Sequence, residues 1–215
     1  MKKIAVVLSG CGVYDGAEIH EAVLTMLAIA ANGAVYEIFA PDMNQHHVVN
    51  HLNGSEMDES RNVLTESARI ARGNIKALSE FNGKEFDAII FPGGFGAAKN
   101  LSTFAFDGSD CKVNNDVEAA IKDMISLGKP IGALCISPVI LAKILGDVEL
   151  TIGDDAGTIQ AIEKMGATHT STTHGEVVVD QQHKIVTTPC YMLDATITQI
   201  DEGARNVVKA LLDLV

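Results

Sequence analysis

The sequence has no apolar run approaching the roughly 20 residues that a helix needs to cross a bilayer. It is also short of basic residues: 16 Lys and Arg stand against 28 Asp and Glu, a net charge of −12. A surface of that sign repels a phosphate backbone, so nucleic acid is not an expected partner, nor is a membrane. Cysteine is scarce, four in 215 residues, and no two form a Cys-x-x-Cys pair. Widely spaced, unpaired thiols point to a reducing compartment, and the expected location is cytoplasmic. Met1-Lys2-Lys3 enters Ile4-Ala5-Val6-Val7-Leu8 directly, a run far too short for a signal peptide, which reads as a first strand. Internal repeats, low-complexity tracts and linkers are absent, so one domain over residues 1–215 is expected.

What is present is a well-buried α/β pattern. Hydrophobic residues make up 47% of the chain. Residues 4–8 predict a strand, closed by the turn Ser9-Gly10-Cys11-Gly12. A helix follows from about Ala17 to Ala31, with apolar residues at 19, 23, 24, 27 and 30. Ala34 to Ala40 predicts a second strand, residues 42–60 are polar and irregular, and 61–72 form an amphipathic helix. Asp87 to Phe91 is another strand, and Val117, Ile121, Met124 and Ile125 mark a helix that stops at Gly128. Residues 153–165 contain a short helix, strands are expected near 176–179 and 184–188, and a terminal helix buries Ile200, Ala204, Val207, Val208 and Leu211. Repeated βα units predict a mainly parallel sheet with helices on both faces, a three-layer sandwich. Sites in such folds lie beyond the carboxyl ends of the strands.

One such end carries a nucleophile. Ile131 to Leu134 is a short apolar run suited to a strand covered on both faces, and Pro138 pre-sets the first turn of a helix. Cys135 therefore sits at an abrupt strand-to-helix turn. Unpaired amides and the helix dipole there are expected to favour the thiolate. The apolar strand at 87–91 ends in Pro92-Gly93-Gly94, whose glycines let the backbone turn tightly and aim its amides outward. Those amides, with that of Ile136, suit an oxyanion formed at Cys135.

A thiolate needs a partner to move protons. Glu18 and Glu21 begin the first helix over the same sheet edge, and the stripe Ile19, Val23, Leu27 leaves Glu21 nearer the buried side. A buried carboxyl beside sulfur has a raised pKa and can shuttle a proton. The residues alone also allow Glu21 as an ordinary solvated helix position.

Gly16-Ala17-Glu18-Ile19-His20-Glu21-Ala22-Val23, the Pro92-Gly93-Gly94 turn and the Cys135 elbow together resemble the DJ-1/PfpI superfamily. Leu8 to Gly16, Phe91 to Leu101, Thr151-Ile152-Gly153 and Lys184 to Pro189 are similar to its ElbB branch, the isoprenoid biosynthesis proteins, across essentially the whole chain. The resemblance implies a flavodoxin-like sandwich related to class I glutamine amidotransferase domains. It implies Cys135 as nucleophile, Glu21 as its acidic partner, and Gly94 with Ile136 as oxyanion amides. It further implies a glutathione-independent glyoxalase turning glyoxal, a small dicarbonyl, into glycolate without a cofactor, and a homodimer. The alternative is a non-enzymatic redox or regulatory protein in which Cys135 oxidises; the branch name adds a role accessory to isoprenoid synthesis.

The chain departs from the superfamily in lacking a histidine beside the nucleophile, since Ile136 follows Cys135 and Thr151-Ile152-Gly153 fills the other loop position. His174-Gly175-Glu176 has the spelling of the glutaminase pair but precedes its strand, which disfavours glutamine hydrolysis. Gly10, Cys11, Gly12, Gly93 and Asn100 are expected to line the pocket mouth, and the 102–114 stretch is a candidate cover. His46, His47 and His51 lack a further ligand, so no metal site is expected. His20 neighbours Glu21 but faces elsewhere on a helix. Cys111 reads as an incidental residue of a polar loop. Cys11, two strands from Cys135, is about 10 Å away, too far for an unstrained disulfide.

Overall fold

A computed structural model describes residues 1–215. Nine strands and eight α-helices follow one another as β1 (Lys3–Val7), α1 (Ile19–Ala31), β2 (Val35–Ala40), α2 (Val63–Ala71), β3 (Lys76–Ala77), β4 (Ala88–Phe91), α3 (Phe95–Lys99), α4 (Phe104–Asp107), α5 (Asn115–Ser126), β5 (Ile131–Leu134), α6 (Pro138–Leu145), β6 (Glu149–Leu150), α7 (Ala156–Lys164), β7 (Thr168–His169), β8 (Val178–Asp180), β9 (Ile185–Thr188) and α8 (Ile197–Asp213). Seven strands form one sheet in the order β3-β2-β1-β4-β5-β9-β8, and β6 pairs with β7 separately. All neighbours in the large sheet run parallel except β8, which pairs antiparallel with β9 at the edge. This is the flavodoxin-like α/β sandwich expected. The polar 42–60 stretch is tied by isolated bridges, Asn44 to Asn62 and Val49 to Glu56.

The period-2 geometry of strands divides the core. Ala5, Val7, Ile89 and Phe91 face a cluster built with Val117, Ile121 and Met124 of α5 and Val139 to Ala142 of α6. Ile4, Val6, Leu8, Ala88 and Ile90 face the other way, onto Ala22, Met26 and Ile29 of α1 and Ile200, Val207, Val208 and Leu211 of α8. Both faces are covered, so these strands read as continuous apolar runs. The chain order turns back between β1 and β4, and that crevice is where ligands bind in sheets of this kind.

One expectation fails on α1. Ile19, Val23 and Leu27 are 42%, 45% and 55% exposed, whereas Ala22, Met26 and Ile29 are buried. The i, i+4 spacing of the first three is a valid helix face, but that face lies outward. Glu21 belongs to the inner face with Thr25 and Ala28, and is 0% exposed. Its burial was therefore expected for the wrong neighbours. Cys111, expected in a polar loop, is also buried.

The inner face of α1 is tested by truncation. Ile29→Ala removes a fully buried side chain and is expected to cost roughly 2–4 kcal/mol. Leu52→Ala, at a position 97% exposed, should cost less than about 0.5 kcal/mol. Urea midpoints of the two variants check the contrast.

Candidate functional site

Three chain segments meet at the carboxyl ends of β4 and β5. Cys135 follows β5 directly with φ of 59°, a left-handed conformation uncommon for a side-chain-bearing residue. Its amide donates to Thr188 O at 2.9 Å, anchoring the turn to β9. The Ser137 hydroxyl donates to Pro92 O at 2.8 Å, joining the elbow to the glycine turn after β4. The α6 helix begins only at Pro138, three residues beyond the sulfur.

Gly93 brings the third segment in. Its amide donates to Glu21 Oε2 at 2.9 Å, and its carbonyl accepts from the Glu18 amide at 2.9 Å. A Cβ at residue 93 would lie 2.4 Å from Cys135 Cβ and 2.6 Å from Glu21 Oε2, so only glycine allows the two side chains to converge. Gly94 has φ of 95°, and a Cβ there would lie 2.4 Å from Gly16 O. Glu21 Oε1 also accepts from the Tyr191 amide at 3.2 Å. The amides of Gly94 and Ile136 have no carbonyl partner, and both bear on the Cys135 sulfur, where they favour its thiolate.

The pair's protons are held tightly. Burial, followed by the neighbouring Glu18 carboxylate, raises the Glu21 pKa to about 8, against two amide hydrogen bonds that lower it. Burial and the Glu21 charge push the Cys135 thiol up as well, while the Gly94 and Ile136 amides pull it down. The amides favour the thiolate as expected, but burial, which the sequence did not reveal, acts against them and is the larger effect. The two groups titrate as a coupled pair, and burial raises both.

Cys135 opens onto a cleft of ≈ 450 Å³. Gly94 and Ile136 line it beside the sulfur, and Phe104 with Ala105 of α4 close one side, so the 102–114 stretch does contribute a wall. A larger cleft of ≈ 600 Å³ lies along the 170–178 segment and α8. It is wide open and no cysteine lines it, so the Cys135 cleft is the candidate site.

The other expected pocket residues are placed elsewhere. Gly93 lies beneath the pair. The Gly10 amide donates to Ser67 Oγ at 2.9 Å, and the Gly12 amide to Ala17 O at 3.0 Å. Asn100 Nδ2 donates to Ser9 O and Asp15 O, both at 2.9 Å. Cys11 sits by Glu66, Arg69 and Asp15. None of these four lines the cleft. Gly12 and Asn100 hold the loop after β1 through carbonyls of that loop, and Gly10 ties it to α2.

Other residues stand nearer. Glu18, named with Glu21 at the start of the first helix, lines the cleft, and so do Tyr191, Asp155 and Thr158, which the sequence did not single out. His20, expected to face elsewhere, has its Nδ1 2.8 Å from the Tyr191 hydroxyl at the rim. Cys190 is a second buried cysteine with positive φ, and its thiol is raised by burial, then by Glu21 and Cys135. Their signal is long-range: Tyr191 and Glu21 are 170 residues apart and meet only through the sheet order. No group of three His, Cys, Asp or Glu has metal-ligand geometry, and no helix is long and apolar enough to cross a membrane.

Comparison with known proteins places this geometry. The DJ-1/PfpI family model matches residues 12–194. Human glutamine amidotransferase-like class 1 domain-containing protein 3, mitochondrial, is 50% identical over 222 residues, covering 99% of this chain and 83% of that protein. The mitochondrial ES1 protein homolog of Rattus norvegicus is 49% identical over 222 residues, covering 99% and 84%. The crystal structure of an isoprenoid biosynthesis protein with amidotransferase-like domain from Ehrlichia chaffeensis superposes with a TM-score of 0.94 at 34% identity, covering 100% of this chain and 99% of that one. The mitochondrial names overturn the cytoplasmic location expected from the cysteines. Free thiols separate reducing from oxidising compartments; they do not separate one reducing compartment from another.

Two outcomes test the site. Gly93→Ala should lower stability by roughly 1–3 kcal/mol through overpacking, read from the urea midpoint. For Glu21, the folded state keeps a proton that the unfolded chain has released between about pH 4.5 and 8. The unfolded state then binds fewer protons, so this group's contribution to stability falls as pH rises through that window. Glu21→Gln removes the effect, and its melting temperature should gain on wild type by about 5 °C or more between pH 5 and pH 8.

Proposed function

We propose, for a chain that belongs to the DJ-1/PfpI family, that it is a cysteine-dependent, glutathione-independent glyoxalase acting on small dicarbonyls. The observation that carries this reading is the Cys135–Glu21 pair beneath two amides without carbonyl partners. Cys135 is the nucleophile, Glu21 the proton carrier, and Gly94 with Ile136 the oxyanion amides.

The chemistry balances without a cofactor. Cys135 Sγ bonds to one aldehyde carbon of glyoxal as its proton passes to the Glu21 carboxylate. The resulting alkoxide lies against the Gly94 and Ile136 amides and takes that proton back from Glu21, giving a hemithioacetal and restoring the carboxylate. Glu21 then removes the C–H proton from that carbon and returns it to the neighbouring carbon, while the hydroxyl proton of the hemithioacetal passes to the neighbour's oxygen through an enediol. One carbon is oxidised to a thioester while its neighbour is reduced to an alcohol. Water cleaves the thioester, releasing glycolate and the thiol. A Glu21 pKa near 8 suits a group that must both accept and return a proton near neutrality.

The same pair supports the redox alternative, because protonated Glu21 can donate a hydrogen bond to an oxidised Cys135. Turnover separates the two. Steady-state glycolate production should vanish in Cys135→Ala and fall roughly 10²–10⁴-fold in Glu21→Gln. Absence of turnover in wild type, with stoichiometric loss of one thiol to peroxide, would sink the enzyme reading. A homodimer belongs to this proposal, and sedimentation velocity would reveal it.

A further inference from the structure

The cleft is far larger than glyoxal requires, and its charge is one-sided. A volume of ≈ 450 Å³ falls within the range of about 300–1,000 Å³ typical of sites for much larger ligands, whereas glyoxal has only four heavy atoms. Away from the sulfur the walls are apolar, with Val13, Phe95, Phe104 and Met192 prominent. Its only charged side chains are the carboxylates Glu18 and Asp155, and no Lys, Arg or His lines it.

The two carboxylates are fixed in place. Glu18 is buried, and its Oε2 accepts from the Glu21 amide at 2.7 Å. Asp155 caps α7: its Oδ1 accepts both the amide of Thr158, at 2.8 Å, and its hydroxyl, at 2.7 Å. Those bonds hold Asp155 ionised and leave Oδ2 free to meet a ligand. An anion entering here meets like charge from the lining itself; the basic groups nearest it, His20 at 3.9 Å from Glu18 Oε1 and Lys99 at 5.4 Å from the Phe95 ring, stand outside the lining. An apolar group gains about fourfold in affinity for each methylene buried.

We propose that the site takes uncharged or cationic carbonyl compounds bearing an apolar substituent, and that Glu18 and Asp155 determine specificity by turning anionic ones away. The carbonyl part rests on the glyoxalase reading; the selectivity for charge and shape does not.

The test labels Cys135 in the intact protein with iodoacetamide, iodoacetate and N-benzyl iodoacetamide. Rates are quantified by peptide mass spectrometry and divided by those of N-acetylcysteine at the same pH. Iodoacetate should be disfavoured against iodoacetamide about tenfold more than with the free thiol, and the benzyl reagent favoured about fivefold. The double variant Glu18→Gln, Asp155→Asn should recover most of the iodoacetate deficit. Asp155→Asn alone, at an exposed position, should recover part of it, and covers the case in which the double variant fails to fold. Ratios matching the free thiol, a deficit untouched by either variant, or no labelling of Cys135 by any reagent would overturn the proposal. These rates need no turnover. A protein that labels as expected yet produces neither glycolate from glyoxal nor mandelate from phenylglyoxal loses the glyoxalase reading and keeps the selectivity.

Discussion

The hydrogen bond from the Gly93 amide to Glu21 Oε2, 2.9 Å long, joins the end of β4 to the first turns of α1 at the one place where Cys135 must also fit. Its partner bond, from the Glu18 amide to Gly93 O, fixes the start of the helix. A carboxyl with no exposure is costly to bury charged, and the fold meets that cost with amides on both oxygens and a retained proton. The missing side chain at residue 93 is what lets sulfur and carboxyl approach. The rest of the site follows from that convergence: the left-handed turn at Cys135, the Ser137 tie to Pro92 and the two free amides.

Charge sets how the pair works. A helix terminus lowers a thiol pKa when sulfur lies against its first amides. Here the helix begins three residues on, while burial and Glu21 act at contact distance and push the thiol the other way. In the reaction proposed for this site, the sulfur's proton passes to Glu21 as the sulfur attacks. The acid balance of the whole chain carries into the cleft, whose charged lining is the carboxylates Glu18 and Asp155.

Much of the architecture was legible because parallel strands covered on both faces write themselves as apolar runs. Ile131 to Leu134 and the terminal helix fall where the pattern put them. The elbow at Cys135 and the turn at Gly93-Gly94 were readable locally, since Pro138 and the paired glycines punctuate them. The α1 face was misread because its outward stripe is as apolar as its inward one. Only the sheet order decides which is buried. Tyr191, Asp155 and Thr158 escaped notice for a different reason: they reach the cleft from distant segments, through contacts that no local spacing encodes. The β6–β7 pair, two residues per strand, is too short to carry a period.

The coupled, proton-retaining pair is the center of this account, and carbon-13 NMR of the Glu21 carboxyl across a pH titration observes it directly. With the resonance assigned by its loss in Glu21→Gln, the carboxyl should titrate near pH 8 in wild type and shift its midpoint when Cys135 is replaced by alanine. A midpoint between pH 4 and 5, unmoved by that replacement, would contradict the account.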